Sequence, residues 1–175
     1  PAPGEEIVGS LSTADDLNIQ FAHDAVEPVK KTLTFTLEKT ATAETKVKLV
    51  FDERHVDEYN FDHATEYVVF PEKLCTIAND GVITIPAGET SAQIEVTLSP
   101  SASDLEYVTT YMVPLQAVAQ TEGIVVKDEA EYVDFLVSRI GSKKIRNICY
   151  FEVNDCNPLN AIEYILEDGQ PFFDA

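Results

Sequence analysis

The sequence predicts an all-β protein, built as an antiparallel sandwich. Three observations carry that reading. Short segments alternate apolar and polar side chains with a period of two. Turn residues recur between these segments, and helix-period patterning is nearly absent. The clearest stretch is GVITIPAGETSAQIEVTL, Gly81 to Leu98. Ile83 and Ile85 share a face. Ala92, Ile94, Val96 and Leu98 point one way, and Ser91, Gln93, Glu95 and Thr97 the other. Pro86 and Gly88 supply the fixed and the permissive backbone positions of a reversal, so the stretch reads as a hairpin.

The chain divides into three parts. Residues 1–16, rich in Pro, Gly, Ser and acid, read as a flexible lead-in. Leu17, Ile19 and Phe21 open the strand region at 17–140. Leu33, Phe35 and Leu37 alternate with threonines whose β-branched side chains fit a pleated outer face. Val47, Leu49 and Phe51 make a third strand, with Lys46 and Lys48 outward. From Asp52 to Phe70 the rhythm breaks into a polar, aromatic crossover with a helical turn at Val56–Asn60. Leu74–Ile77 is a short strand, and Asn79-Asp80-Gly81 a turn. Beyond the hairpin, Tyr111, Val113, Leu115 and Ala117 line one face of a strand. Pro114 inside it predicts an edge or a bulge, because proline donates no ladder hydrogen bond. Val133, Phe135 and Val137 mark the last strand. Seven or eight closely spaced strands favour an immunoglobulin-like antiparallel sandwich. Residues 141–175 read as a linker followed by a strand at Ile148–Phe151 that is apolar without alternation. That pattern suits burial on both faces, as in a parallel sheet. A short helix over Leu159–Glu167 follows, with Asn157 as its cap.

The 175 residues carry 31 acidic and 12 basic side chains, a net charge of −19. Such a surface repels phosphate backbones and anionic membranes, which excludes nucleic acid as the expected partner. Neutral glycans and cations remain compatible. Cys75, Cys149 and Cys156 are odd in number and widely spaced, which is neither a disulfide framework nor a zinc site, so buried free thiols are expected. No apolar run reaches the roughly 18 residues of a membrane span. No cofactor and no metal site is expected. Arg54-His55 through Asp62-His63 and the Lys127–Glu131 cluster read as solvated segments. Asn79-Asp80 and Asp104–Glu106 read as plain turns rather than calcium sites.

Val56-Asp57-Glu58-Tyr59-Asn60, Phe70-Pro71, Thr84-Ile85-Pro86-Ala87-Gly88-Glu89-Thr90-Ser91 and Tyr111-Met112-Val113-Pro114-Leu115, in that order, carry a resemblance covering about residues 17–138. They resemble an N-terminal immunoglobulin-like family of unknown function, found in secreted or surface lipoproteins of gut-type Gram-negative bacteria. The resemblance implies an exported protein, at the outer membrane surface or in the periplasm. It implies contact with a membrane only through a lipid anchor removed from this chain. Cys149 to Asn160 and Gly169-Gln170-Pro171-Phe172-Phe173-Asp174 resemble the opening of a glycoside hydrolase family 18 domain, of the endo-β-N-acetylglucosaminidase branch. Such domains are TIM barrels that cut the chitobiose core of N-glycans through a DxxDxDxE motif, with the substrate N-acetyl group as nucleophile and the last Glu as acid. That motif is absent from this sequence, and a complete barrel takes roughly 250 residues. The resemblance therefore implies a non-catalytic module linked to an enzyme, with an N-type glycan or a downstream catalytic domain as partner.

The ligand-binding candidates lie in the crossover. Sugars stack on Tyr or Phe while carboxylates and amides take their hydroxyls. Tyr59, Tyr67 and Phe70 with Asp57, Asn60 and Asp62 fit that chemistry, against the alternative that the aromatics plug the open end of the sandwich. The expected roles are spacer or orienting module, or else a stand-alone carbohydrate-binding or adhesion module. Ile148, Tyr150, Phe151, Phe172 and Phe173 are expected to pack on the sandwich or on a neighbouring molecule, a route to self-association through the tail.

Overall fold

Alternating apolar faces must meet one another, and in the computed structural model, which describes residues 4–141, they do so as two packed sheets. One sheet holds β1 (Ile7–Thr13), β3 (Val29–Leu37), β6 (Cys75–Ile77), β8 (Ser91–Leu98) and β10 (Ile124–Val126), in the order β10-β1-β3-β8-β6. The other holds β2 (Asn18–Phe21), β4 (Thr45–Phe51), β5 (Val68–Val69), β7 (Val82–Ile85), β9 (Thr110–Ala119) and β11 (Tyr132–Arg139). Its order is β2-β11-β9-β4-β7, with β5 alongside β9. Leu33, Phe35, Val96 and Leu98 from the first sheet and Leu49, Ile83, Leu115 and Phe135 from the second are buried in one core. One α-helix, α1 (Arg54–His63), lies outside this core. Among the described residues no helix is long and apolar enough to cross a membrane.

The β-sandwich is the expected fold class, and its details differ in instructive ways. The Gly81–Leu98 stretch is not a hairpin. β7 pairs with β4 from Thr45↔Ile85 to Lys48↔Val82, while β8 pairs with β3 from Val29↔Leu98 to Thr36↔Ser91. The Pro86–Thr90 turn carries the chain from one sheet to the other. In a hairpin, Ile83, Ile85, Ile94, Val96 and Leu98 would crowd one side of one sheet. In this arch they face one another across the core. Gly88, at φ 83°, makes the reversal possible, and its N–H donates to the Ala41 carbonyl at 2.9 Å.

The segment read as a lead-in contains a core strand. β1 pairs with β3 from Gly9↔Leu37 to Thr13↔Leu33, and Ile7 and Leu11 are buried. Its alternation is hidden because glycine stands at the inward position 9. A Cβ there would sit 2.5 Å from the Phe35 ring, so the aromatic ring fills the space that a side chain would take. The described chain has eleven strands rather than seven or eight, and not all pairs are antiparallel. β1 runs parallel to β10, β2 to β11 and β5 to β9. Three of the strands that the pattern did not reveal, β1, β5 and β10, take part in these parallel pairs.

Pro114 sits in the middle of a sheet, yet its missing N–H costs nothing. β9 is flanked on one side by β4, which ends at Phe51↔Leu115, and then by β5, paired at Val68↔Tyr111 and Val69↔Met112. Pro114 falls between the two. Its carbonyl accepts from the Asp52 N–H at 3.0 Å on that same side, so its nitrogen faces the changeover, a local edge inside the sheet. At the far end of β11, Arg139 is 8% exposed; its guanidinium donates to the His23 carbonyl and lies 5.1 Å from the centre of the Tyr107 ring. The expected linker, barrel strand and tail contacts at 142–175, with Cys149 and Cys156, lie outside the described residues.

Three outcomes test this description. Gly9→Ala should destabilise the fold by about 1–3 kcal/mol in urea unfolding, because the Phe35 ring must move inside a filled core; an unchanged midpoint would contradict the close approach. Cys75 is a free thiol whose pKa burial pushes up to about 12, so peptide-resolved alkylation at neutral pH should label it only after denaturation. Nearly every pairing is non-local, so refolding from urea should take milliseconds to seconds, as in other sandwiches; microsecond refolding would contradict the topology.

Candidate functional site

The crossover folds as α1 because its apolar positions are sparse and lie on one side. Val56 and Met112 are each 1% exposed and belong to no part of the main core, which places the helix on the outer face of the six-stranded sheet. The helix ends at Ala64, in the left-handed region at φ 52°, whose N–H returns to the Asn60 carbonyl. Asn60 then braces the following loop. Its Nδ2 donates to the Tyr67 carbonyl at 2.8 Å, and its Oδ1 accepts from Thr65 Oγ1 at 2.8 Å and from the Tyr67 N–H at 2.9 Å.

The six candidate residues therefore separate. Phe70 is fully buried in the core, edge-on to Tyr111 at 6.5 Å, and offers no sugar a platform. Asn60 spends both ends of its amide on the loop. Asp57 is exposed beside Glu58, Phe61 and Asp62 on a shallow outer hollow. Tyr59, two positions on and so on a different side of the helix, turns inward. It stacks on His63 at 3.9 Å and lies 6.0 Å from Tyr67. Of the three aromatic candidates, Tyr59 and Tyr67 stay together.

A second set of residues, absent from the sequence-based candidates, completes the cluster. His55 is not solvated. Its side chain is 15% exposed, stacks on Tyr132 at 3.6 Å, and its Nε2 lies 3.0 Å from Asp134 Oδ2. The Tyr132 hydroxyl donates to Asp52 Oδ2 at 2.8 Å. Burial, reinforced by this bond, raises the Tyr132 pKa, so the phenol stays neutral. Burial also raises the pKa of Asp134, opposed by the hydrogen bond and charge of His55. Asp134 Oδ1 is buried without a partner among the described residues, an arrangement that costs about 1–3 kcal/mol where it persists. The signal for these residues was the outward half of the last strand: Tyr132 and Asp134 alternate with the core residues Val133 and Phe135.

A half-open groove of about 480 Å³ runs beside this cluster, lined by Leu17, Asn18, Tyr59, Tyr132, Asp134 and Leu136 among others. The volume falls in the roughly 300–1,000 Å³ range of small-molecule sites. Leu17, which immediately precedes β2, is 43% exposed rather than buried with Ile19 and Phe21. β2 pairs with β11 only over Leu136–Arg139, so the edge of β11 next to Tyr132 and Asp134 has no ladder partner. The Leu136 N–H reaches the Leu17 carbonyl, and the backbone groups of Tyr132 and Asp134 point the same way by the two-residue repeat.

Chemically, this is a braced aromatic and carboxylate surface. The His55–Asp134 pair has two members of a nucleophilic triad, but among the described residues no hydrogen bond joins His55 to a hydroxyl or thiol. No group of three His, Cys, Asp or Glu among the described residues is arranged to hold a metal ion. At the expected turns, Asp104 is bonded to Lys73 at 2.6 Å and to Ser101, whose donors lower its pKa, and Asn79 and Asp80 take left-handed turn conformations.

The chain is similar to EndoBT-3987 of Bacteroides thetaiotamicron, whose crystal structure contains a Man5GlcNAc product. The TM-score is 0.64 and the identity 28%, over 94% of this chain and 40% of that one. It also shares its fold with a putative carbohydrate binding protein from Bacteroides ovatus, at a TM-score of 0.62 and 18% identity, over 75% of this chain and 37% of that one. A two-domain protein of unknown function from Bacteroides fragilis gives a TM-score of 0.62 at 15% identity, over 77% of this chain and 46% of that one. The chain thus spans less than half the length of these structures. No curated protein matches it. A family model described as "-like, N-terminal domain" matches residues 7–124, most of the chain, and the chain belongs to that family of N-terminal domains.

Proposed function

We propose that this chain is the non-catalytic N-terminal module of an exported glycan-processing protein of endo-β-N-acetylglucosaminidase type, and that it spaces or orients the catalytic part. The observation that carries this reading is the match to a family of N-terminal domains together with 28% identity to EndoBT-3987 over 94% of the chain. The absence of DxxDxDxE from the sequence supports a module that leaves the chemistry to another domain. The side-chain chemistry agrees. Asn60, His55, Asp52 and Tyr132 are committed to bonds that fix a helix and a loop, which suits a rigid support. Export, and attachment to a surface by a lipid anchor, belong to the same proposal.

A second reading, a carbohydrate-binding or adhesion module that works without an attached enzyme, is favoured by one observation, the groove beside Tyr59 and Tyr132.

Incubation of the purified chain with a high-mannose glycopeptide should leave the glycan intact by mass spectrometry; release of glycan would overturn the non-catalytic reading. In the natural protein that carries this module, excision of residues 4–141 should lower hydrolysis of a folded glycoprotein by about tenfold, the scale of a lost orienting contact. An unchanged rate would remove the orienting role and leave the free-standing module.

A further inference from the structure

The groove on the outer face of the six-stranded sheet deepens the second of these readings, on which the inference rests; a module that only orients another domain needs no ligand of its own. We infer that the groove is a binding site for one pyranose ring of a neutral saccharide, seated between β2, β11 and α1.

The groove has the amphiphilic character that such a ring requires. A pyranose presents an apolar C–H face and a rim of hydroxyls. Leu17 and Leu136 form an apolar strip, with Leu17, just ahead of β2, 43% exposed. Tyr59 and Tyr132 add ring surface. Tyr132 is fixed in place by the stacked His55 and by its bond to Asp52. An aromatic wall already ordered loses little freedom on binding. The polar groups lie at the margins of this strip. The Asn18 side-chain amide makes no hydrogen bond among the described residues, although its backbone N–H is tied to Asp16 Oδ1 at 2.9 Å. That leaves an amide with two donors and one acceptor on a backbone that is already positioned. Asp134 lines the groove with a side chain that is 19% exposed, its Oδ2 on His55 and its Oδ1 buried. The unpaired edge of β11 supplies further backbone groups beside it.

Charge narrows the ligand class. A carboxylate in the groove and a net charge of −19 disfavour an anionic sugar. Asp134 is hydrogen-bonded to His55 and desolvated, so it is a poor lone counter-ion for a cation. A neutral polyol asks for no counter-charge, and the Asn18 amide and the open backbone edge of β11 answer its hydroxyls. The hollow around Asp57, Glu58, Phe61 and Asp62 has no comparable apolar strip: three of its four lining residues are acidic.

The test is a titration of the isotope-labelled 175-residue chain, followed by amide chemical shifts. The neutral probes are N,N′-diacetylchitobiose and methyl α-mannopyranoside; glucuronate and tetramethylammonium are the charged controls. At least one neutral probe should shift the signals of Leu17, Asn18, Tyr59, Tyr132 and Asp134 with a millimolar Kd. Leu17→Asp, a substitution at an exposed position, and Asn18→Ala should each weaken that binding by about tenfold while leaving the melting temperature within a few degrees. Tyr59→Ala should do the same, and Leu17→Asp keeps the test decisive if α1 loosens in that variant. Shifts confined to the Asp57–Asp62 hollow, shifts with a charged control alone, affinity unaffected by both Leu17→Asp and Asn18→Ala, or no shift with either neutral probe would each overturn the site. None of these outcomes bears on the orienting role, which rests on hydrolysis by the natural protein.

Discussion

The interaction on which this structure depends is the meeting of two apolar faces that belong to different sheets and are joined almost entirely by crossing connections. Of the ten connections between the eleven described strands, only the one from β4 to β5 stays within a sheet. Each of the others passes from one layer to the other. No strand can thus be placed by its neighbour in sequence. β3 is held by β1 and β8, and β9 by β11 and β4. Local turns contribute direction, and the core contributes the choice of partner. Loop-closure entropy opposes each such pairing until the opposing faces are both present, which ties strand formation to collapse of the core.

Period-two patterning was enough to read which residues point inward, and it was silent about partners. Ile83, Ile85, Ile94, Val96 and Leu98 are buried as their alternation requires. A hairpin and an arch bury the same side chains, however, so the Pro86–Gly88 turn is compatible with both. β1 was illegible for a different reason. Its middle inward residue is Gly9, and the apolar group occupying that space is Phe35 from the neighbouring strand. A pattern read along one segment cannot show that a ring from another fills its gap. Pro114 shows the converse. The residue type foretold a missing hydrogen bond, and only the tertiary arrangement shows that the gap falls where β4 hands over to β5.

The crossover was legible as an interruption and as an aromatic-rich segment, but its side chains could not be sorted by type. Tyr59, Tyr67 and Phe70 have similar bodies and different fates. Phe70 has no polar atom and can be buried completely, and it follows a two-residue strand that delivers it to the core. Tyr59 and Tyr67 keep a hydroxyl that favours the boundary with water. Asn60 looked like a ligand amide because Asn residues often are. It is instead the residue that closes the loop after a helix ending without glycine. His55 and Asp134 were out of reach, since a contact spanning 79 positions has no signature in either local sequence.

The groove follows from the same architecture. A sandwich built of crossing connections leaves its lateral strands short, because each must soon turn toward the other layer. β2 is four residues long and covers only half of the eight-residue β11. The uncovered half would be an open sheet edge, a place where another chain can pair. Here it is hemmed in by the end of β1, by Leu17 and by Tyr59 of α1. The outer layer of helix, histidine and tyrosine thus serves two ends at once. It shields an edge that the topology cannot avoid, and it turns the shielded space into a concave surface with apolar and polar walls. Because the buried side of the sheet does the folding, Asn18 on its outer side and the exposed Leu17 just ahead of β2 are free to be set by what they touch rather than by what they support.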